Sequence, residues 1–170
     1  MSDYTAASRT GADEVRARRA RPGDEAEVAR LRELMNSTLF GPTAQGPWTV
    51  ETLARLTRWL ADPDAATTAV FVVDAPDGVG LAACVIGSYS DRLPSQRNPH
   101  GTAGYVYGVS TEPRWQRRGY SRAAMVALLE WFDQRGVVRI DLHASEFGEG
   151  LYRKLGFAEA SGAALTALRH

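Results

Sequence analysis

The sequence predicts a single α/β domain built on a mixed, mostly antiparallel sheet flanked by helices, and three observations carry that prediction. Apolar strand-like runs at 69–74 and 80–89 flank Ala75-Pro76-Asp77-Gly78, with proline and glycine where a hairpin turn wants them. Helical spacing recurs in Val28, Leu31, Leu34 and Met35, and again in Met125, Leu128, Leu129 and Phe132. A strand at 105–110, the second of those helices and a strand at 137–143 form a strand–helix–strand unit, which calls for a parallel pair with a right-handed crossover.

Taken in chain order, residues 1–13 are small and polar without periodicity and read as a flexible tail, so the folded domain is expected over 14–170. A first strand is expected over 15–20, followed by the turn Pro22-Gly23-Asp24 and the first helix. The second helix should start near Thr49, carry Leu53, Leu56, Trp59 and Leu60 on one face, and stop at Pro63. After the hairpin, the polar stretch 91–101 with Pro94, Pro99 and His100 is long for a connection and is a candidate substrate lid. In the strand that follows, Tyr105, Tyr107 and Val109 alternate with Val106, Gly108 and Ser110. Gly136 stands where the helix from Ser121 needs a C-terminal cap. Phe147, Leu151 and Leu155 mark a short helix closed by Gly156, and 157–169 could supply a last hairpin around Ser161-Gly162.

Composition excludes several classes of function. The chain has 170 residues, room for one compact domain, and its 20 basic and 20 acidic side chains balance, so no global field favours nucleic acid or anionic membrane. No stretch approaches the roughly 20 apolar residues of a membrane span, and Met1-Ser2-Asp3-Tyr4-Thr5 lacks a basic and apolar leader, so a cytoplasmic location is expected. The one cysteine, Cys84, lies in an apolar run, which excludes an internal disulfide and reads as a buried strand residue. Three scattered histidines and one cysteine show no ligand spacing, and no metal is expected.

The chemistry concentrates in Arg114-Trp115-Gln116-Arg117-Arg118-Gly119-Tyr120-Ser121, between a strand and a helix start. A glycine there lets backbone N–H groups converge and the helix N-terminus adds about half a positive charge, which together make an anion site that needs no metal. Arg117, Arg118 and Arg122 add charge-assisted bonds. The loop is neither a Walker A loop nor Gly-x-Gly-x-x-Gly, which points away from a nucleoside triphosphate or dinucleotide. The same residues also fit a solvated, arginine-rich helix start.

Gln116-Arg117-Arg118-Gly119-Tyr120-Ser121 resembles the Gln/Arg-x-x-Gly-x-Gly/Ala signature of the GNAT (GCN5-related N-acetyltransferase) superfamily, and 151–157, Leu-Tyr-Arg-Lys-Leu-Gly-Phe, resembles the family's Tyr-x-x-x-Gly-Phe element. The motifs span only about 105–157, and the N-terminal third matches by element order alone. Ser121 departs from the glycine or alanine of the pattern, although a serine suits a helix start. Ser145 stands near the place where many members carry an asparagine that touches the CoA arm. The resemblance implies acetyl-CoA as cosubstrate, its pyrophosphate wrapped by Gln116, Arg117, Arg118, Gly119, Tyr120, Ser121 and Arg122, with Val109, Ser110, Thr111 and Ser145 along the arm. It also implies a central, splayed parallel strand pair, into which Gly108 fits as a bulge or close approach.

Direct attack of a primary amine on the thioester is the reaction so implied, with the Val109 amide polarising the acyl carbonyl. Tyr152 is the expected general acid: set about 100° around the helix from Phe147, Leu151 and Leu155, its phenol could face the cleft, with packing in the core the other reading. Glu112, Asp141, His143 and Glu146 are candidate bases, and the residues do not choose among them. Tyr105, Tyr107 and the 91–101 loop could line the acceptor pocket. Two other readings stay open: a non-catalytic acyl-CoA-binding regulatory domain, and a nucleic-acid module using Arg117, Arg118 and Arg122, against which the neutral composition speaks. Nothing in the residues locates a dimer interface, so a homodimer also stays open.

Overall fold

The computed structural model describes residues 15–42, 46–160 and 166. Its elements are β1 (Arg18–Arg19), α1 (Glu25–Phe40), α2 (Pro47–Ala61), β2 (Thr68–Asp74), β3 (Leu81–Asp91), β4 (Thr102–Thr111), a 3-10 turn (Pro113–Trp115), α3 (Tyr120–Asp133), β5 (Arg139–Leu142) and α4 (Glu149–Lys154). The expected tail at 1–13 and the hairpin around Ser161-Gly162 lie outside the described residues.

The five strands form one sheet in chain order, antiparallel from β1 to β4 and parallel between β4 and β5. This is the mixed sheet expected, with helices on both faces. Pleating sorts the side chains. Ala69, Val73, Ala83, Val85 and Val106 meet Met125, Leu128 and Phe132 of α3 and Tyr152 and Leu155 of α4. On the opposite face, Val70, Val72, Cys84 and Ile86 meet Val28 and Leu31 of α1 and Leu56 and Leu60 of α2. Met125, Leu128 and Phe132 are fully buried, each worth about 1.5–3 kcal/mol of transfer free energy. Helix α3 can lie this close because a Cβ on Gly87 would fall 2.8 Å from Leu128 and one on Gly104 2.9 Å from Phe132.

Several expectations need correction. β1 is assigned over two residues only; Ala20 adds one bond, its N–H to Val70 C=O at 2.8 Å, before the chain turns into α1. On α2, Leu53 is 42% exposed, and the buried stripe is Leu56 and Leu60 with Trp59 at its edge. Phe147 lies before α4 and is 87% exposed; the buried residues there are Tyr152 and Leu155, which face α3. The 92–101 segment closes on itself through Arg92 N–H to Gly101 C=O and paired bonds between Ser95 and Asn98.

The alternation expected along β4 fails at one place. Ile86 of β3 pairs with Gly108, but the next residue, Gly87, pairs with Val106, so Tyr107 is an extra residue forming a bulge. Tyr105 before the bulge and Tyr107 within it share the α1/α2 face with Ser110 after it, while Val106 and Val109 share the α3 face. Val109 therefore does not alternate in phase with the tyrosines. Gly108 is where the two registers meet, and a Cβ there would stand 3.2 Å from the Ile86 side chain.

Candidate acyl-CoA site

The β4–β5 ladder runs from Ala103↔Arg139 to Val106↔Leu142 and stops, whereas β4 continues to Thr111. The two strands are parallel, so their C-terminal ends open side by side and the gap between them starts level with the bulge. The splayed parallel pair is present.

Backbone direction in the gap follows from the β3–β4 register. Glu112 donates its N–H to Ala82 C=O at 2.9 Å, so in this antiparallel ladder Ser110 and Gly108 also address β3, and the intervening Val109 and Thr111 address the opposite edge. Val109 thus presents its N–H and C=O to the gap. Gln116 Nε2 donates to the Thr111 carbonyl at 3.4 Å on that same edge. The Ser110 hydroxyl turns the other way, donating at 2.7 Å to Leu31 C=O, so of the expected arm-lining residues Ser110 contributes no side chain.

Beyond Thr111 the chain makes the 3-10 turn, passes through Gln116 and enters α3. Arg117 has φ 61° and Gly119, the N-cap, φ 86°. Two left-handed residues so close together turn successive N–H groups to one side, and a non-glycine in that region costs on the order of 1 kcal/mol. No side chain caps α3 and its first turn holds no acidic residue, so the first N–H groups and the helix dipole are left for an anion. The hydroxyls of Thr111 and Ser121 hydrogen-bond to each other, tying the end of β4 to the first turn of α3. Arg117, Arg118 and Arg122 are exposed, and no carboxylate pairs with them among the described residues.

Sequence reasoning missed the platform under this loop. The half-buried Trp115 ring lies edge-on to Tyr120, with the Arg114 and Arg118 guanidinium groups over it at 5.2 and 5.0 Å. Arg114 also pairs with Asp77 at 2.7 Å, so Arg118 is the stacked arginine whose charge stays uncompensated. The Arg-Trp-x-x-Arg spacing was the available signal.

On the other side of the gap, residues 143–148 lead from β5 into α4. The Ser145 carbonyl accepts the N–H groups of Gly148 and Glu149, so Ser145 opens the turn into α4. Tyr152 is 9% exposed, packed edge-on against Phe157, and belongs to the α3-face cluster that Val109 also joins. The expected placement off the apolar stripe is thus overturned, because Tyr152 is itself the stripe. It nevertheless lines a cavity of about 320 Å³ with Ile140, Leu142 and Phe157. Burial pushes its phenol above the ordinary tyrosine value.

Among the candidate bases, Glu112 is held by Arg30 at 2.6 Å and Asp141 by Arg139 at 3.1 Å. Glu146 is exposed and in no ion pair among the described residues. His143, the first residue past the last β4–β5 pair, meets the Tyr105 hydroxyl through Nδ1 at 2.5 Å, and Tyr105 stacks on Tyr107 with centroids 6.1 Å apart. Tyr105, Tyr107 and His143 are thus brought together at the mouth of the gap, on the face of α1 and α2. Among the described residues no group of His, Cys, Asp or Glu is placed to hold a metal, and no helix is long and apolar enough to cross a membrane. Burial pushes the Cys84 thiol up to about 12, which leaves it an inert core residue.

A splayed parallel pair thus stands beside an open helix N-terminus, an arrangement suited to an anionic ligand. The sequence matches the acetyltransferase (GNAT) family model over residues 29–157, so the chain belongs to the GNAT acetyltransferase family. Its fold is similar to that of a predicted acetyltransferase from Clostridium acetobutylicum with acetyl-CoA: TM-score 0.76, 20% identity, covering 90% of this chain and 96% of that one. It is also similar to a GCN5-related N-acetyltransferase from Ralstonia eutropha JMP134, TM-score 0.71, 22% identity, covering 90% and 98%. Glucosamine-6-phosphate N-acetyltransferase from Arabidopsis thaliana aligns with TM-score 0.70 at 17% identity, covering 91% and 98%. No curated protein matches the sequence significantly.

Proposed function

We propose that this protein transfers the acetyl group of acetyl-CoA to a primary amine by direct attack. The observation that carries the reading is the Val109 amide, directed into a gap that β5 has already left, with the uncapped N-terminus of α3 beyond it. The α3 N–H groups, Arg117, Arg118 and Arg122 hold the pyrophosphate of acetyl-CoA, and its arm enters between β4 and β5.

In that arrangement the Val109 N–H donates to the acyl oxygen, where charge builds up as the amine adds to the carbonyl carbon. The C–S bond then breaks, and Tyr152, kept as a neutral phenol by burial, protonates the departing thiolate. The amine must lose one proton before attack and a second afterwards. His143, with Nδ1 on Tyr105 and an exposed ring just past the last β4–β5 pair, is the base this geometry favours.

Titration of acetyl-CoA into the full chain, followed by thiol release in the presence of primary amines, tests the proposal. Binding with amine-dependent thiol release is the expected result. Binding without release from any amine would favour a regulatory acyl-CoA-binding domain, and absence of binding would remove the acyl-CoA reading altogether.

A further inference from the structure

We propose that the amine acceptor carries an anionic group, a carboxylate or a phosphate, and that Arg32 of α1 binds it. The inference rests on the acetyltransfer reading above and identifies its second substrate by class.

Arg32 follows Leu31, whose carbonyl is bonded to the Ser110 hydroxyl, so this turn of α1 lies on the stretch of β4 just after the bulge. Leu31 packs in one cluster with Cys84 of β3 and Tyr107 of β4, so Arg32 lies beside the sheet face where the tyrosines stand. Arg32 is half-buried, and its Nη1, inside the protein, has no hydrogen-bond partner among the described residues. Among the described residues Arg32 takes part in no ion pair, while Glu27 and Glu112 pair with Arg30 and Glu51 with Arg55 and Arg58. A cationic N–H removed from water without an acceptor is unfavourable. A ligand anion satisfies it.

Position defines the ligand further. Tyr107 is two residues before Val109, about 7 Å along the strand, so an anion at Arg32 sits a short aliphatic reach from the acyl carbonyl. The α3 face is taken by the CoA-binding loop, which leaves the α1/α2 face, lined by Tyr105, Tyr107 and Arg32, for the acceptor. A small amine with its anion two to four bonds from the nitrogen fits: an amino acid or an aminoalkyl phosphate.

The test uses the full chain with acetyl-CoA and matched pairs of amines, an amino acid against its carboxamide and 2-aminoethyl phosphate against 2-aminoethanol. Wild type should prefer the anionic member of one pair by about tenfold or more in kcat/KM, and the pair that shows it separates carboxylate from phosphate. Arg32→Met should bring that ratio towards one and Arg32→Lys restore part of it, with unfolding midpoints confirming that both variants fold. Equal use of both members by wild type, or a preference surviving in Arg32→Met, overturns the proposal while leaving acetyltransfer intact. Acetate and inorganic phosphate titrated into wild type and Arg32→Met provide a readout without turnover. Anion binding lost in the variant supports the site even where acetyl-CoA fails to bind, and no Arg32-dependent anion binding overturns it.

Discussion

The hydroxyl of Ser110 donates to the main-chain carbonyl of Leu31, 79 residues earlier, at 2.7 Å inside the protein. That bond fixes α1 to β4 at the level of the gap and spends the serine side chain on architecture. Ser110→Ala should therefore cost about 1–2 kcal/mol in denaturant unfolding, with little change in acetyl-CoA affinity. A large affinity loss at unchanged stability would put Ser110 back among the ligand contacts.

At Gly119 the demand is conformational. Nothing lies within 4 Å of a Cβ built there, but φ is 86°. Gly119→Val should cost about 1–2 kcal/mol and abolish measurable acetyl-CoA binding by calorimetry, because the N–H groups of the loop can no longer converge.

Tyr152 is predicted to separate chemistry from binding. Its hydroxyl has no hydrogen-bond partner among the described residues, so Tyr152→Phe should fold as stably as wild type, lower kcat by about 10- to 100-fold and leave the KM for acetyl-CoA nearly unchanged. Since burial raises the phenol above its ordinary value, the protonated donor persists through mildly alkaline pH, and the wild-type rate should show no alkaline fall there. A fall at pH 8 would exclude Tyr152 as the donor.

The junction of β1 and α1 carries the clearest acid sensitivity. Arg18 bridges Asp24 and Asp74, each at 2.7 Å. Its hydrogen bond draws the Asp74 carboxyl below the usual range, and although burial opposes the charge of Asp24, Arg18 and the Arg21 N–H hold that carboxyl low as well. Depressed carboxylates stabilise above their unfolded pKa, so this contribution is complete above about pH 4–5 and disappears as pH falls through the lower folded values. Asp24→Asn should cost about 1–2 kcal/mol at pH 7, and Asp74→Asn, whose side chain is 61% exposed, less than about 1 kcal/mol; the gap between each variant and wild type should narrow in acid.

What the sequence disclosed depended on whether a residue obeyed a regular period. Met125, Leu128 and Phe132 kept helical spacing and are buried against the sheet, and the hairpin across 75–78 followed from its turn residues. Tyr107 could not be read in this way, because an inserted residue leaves no trace in a composition of apolar and polar steps; Gly108 was the one hint. Phe147 was misplaced because its spacing to Leu151 and Leu155 imitates a stripe, although the helix begins at Glu149. The arginine loop was legible as an anion site, since that property resides in local backbone and charge. Arg32 was not, because its lack of a partner is a fact about elements far apart in the chain.

The bulge at Tyr107 also bears on how such a protein can diversify. One extra residue puts the Val109 side chain on one face of the sheet and the two tyrosines on the other. In the proposed reaction, acceptor contacts and acyl activation therefore draw on one strand but on opposite faces of it, so a substitution at Tyr105 or Tyr107 need not disturb the packing that aims the Val109 amide.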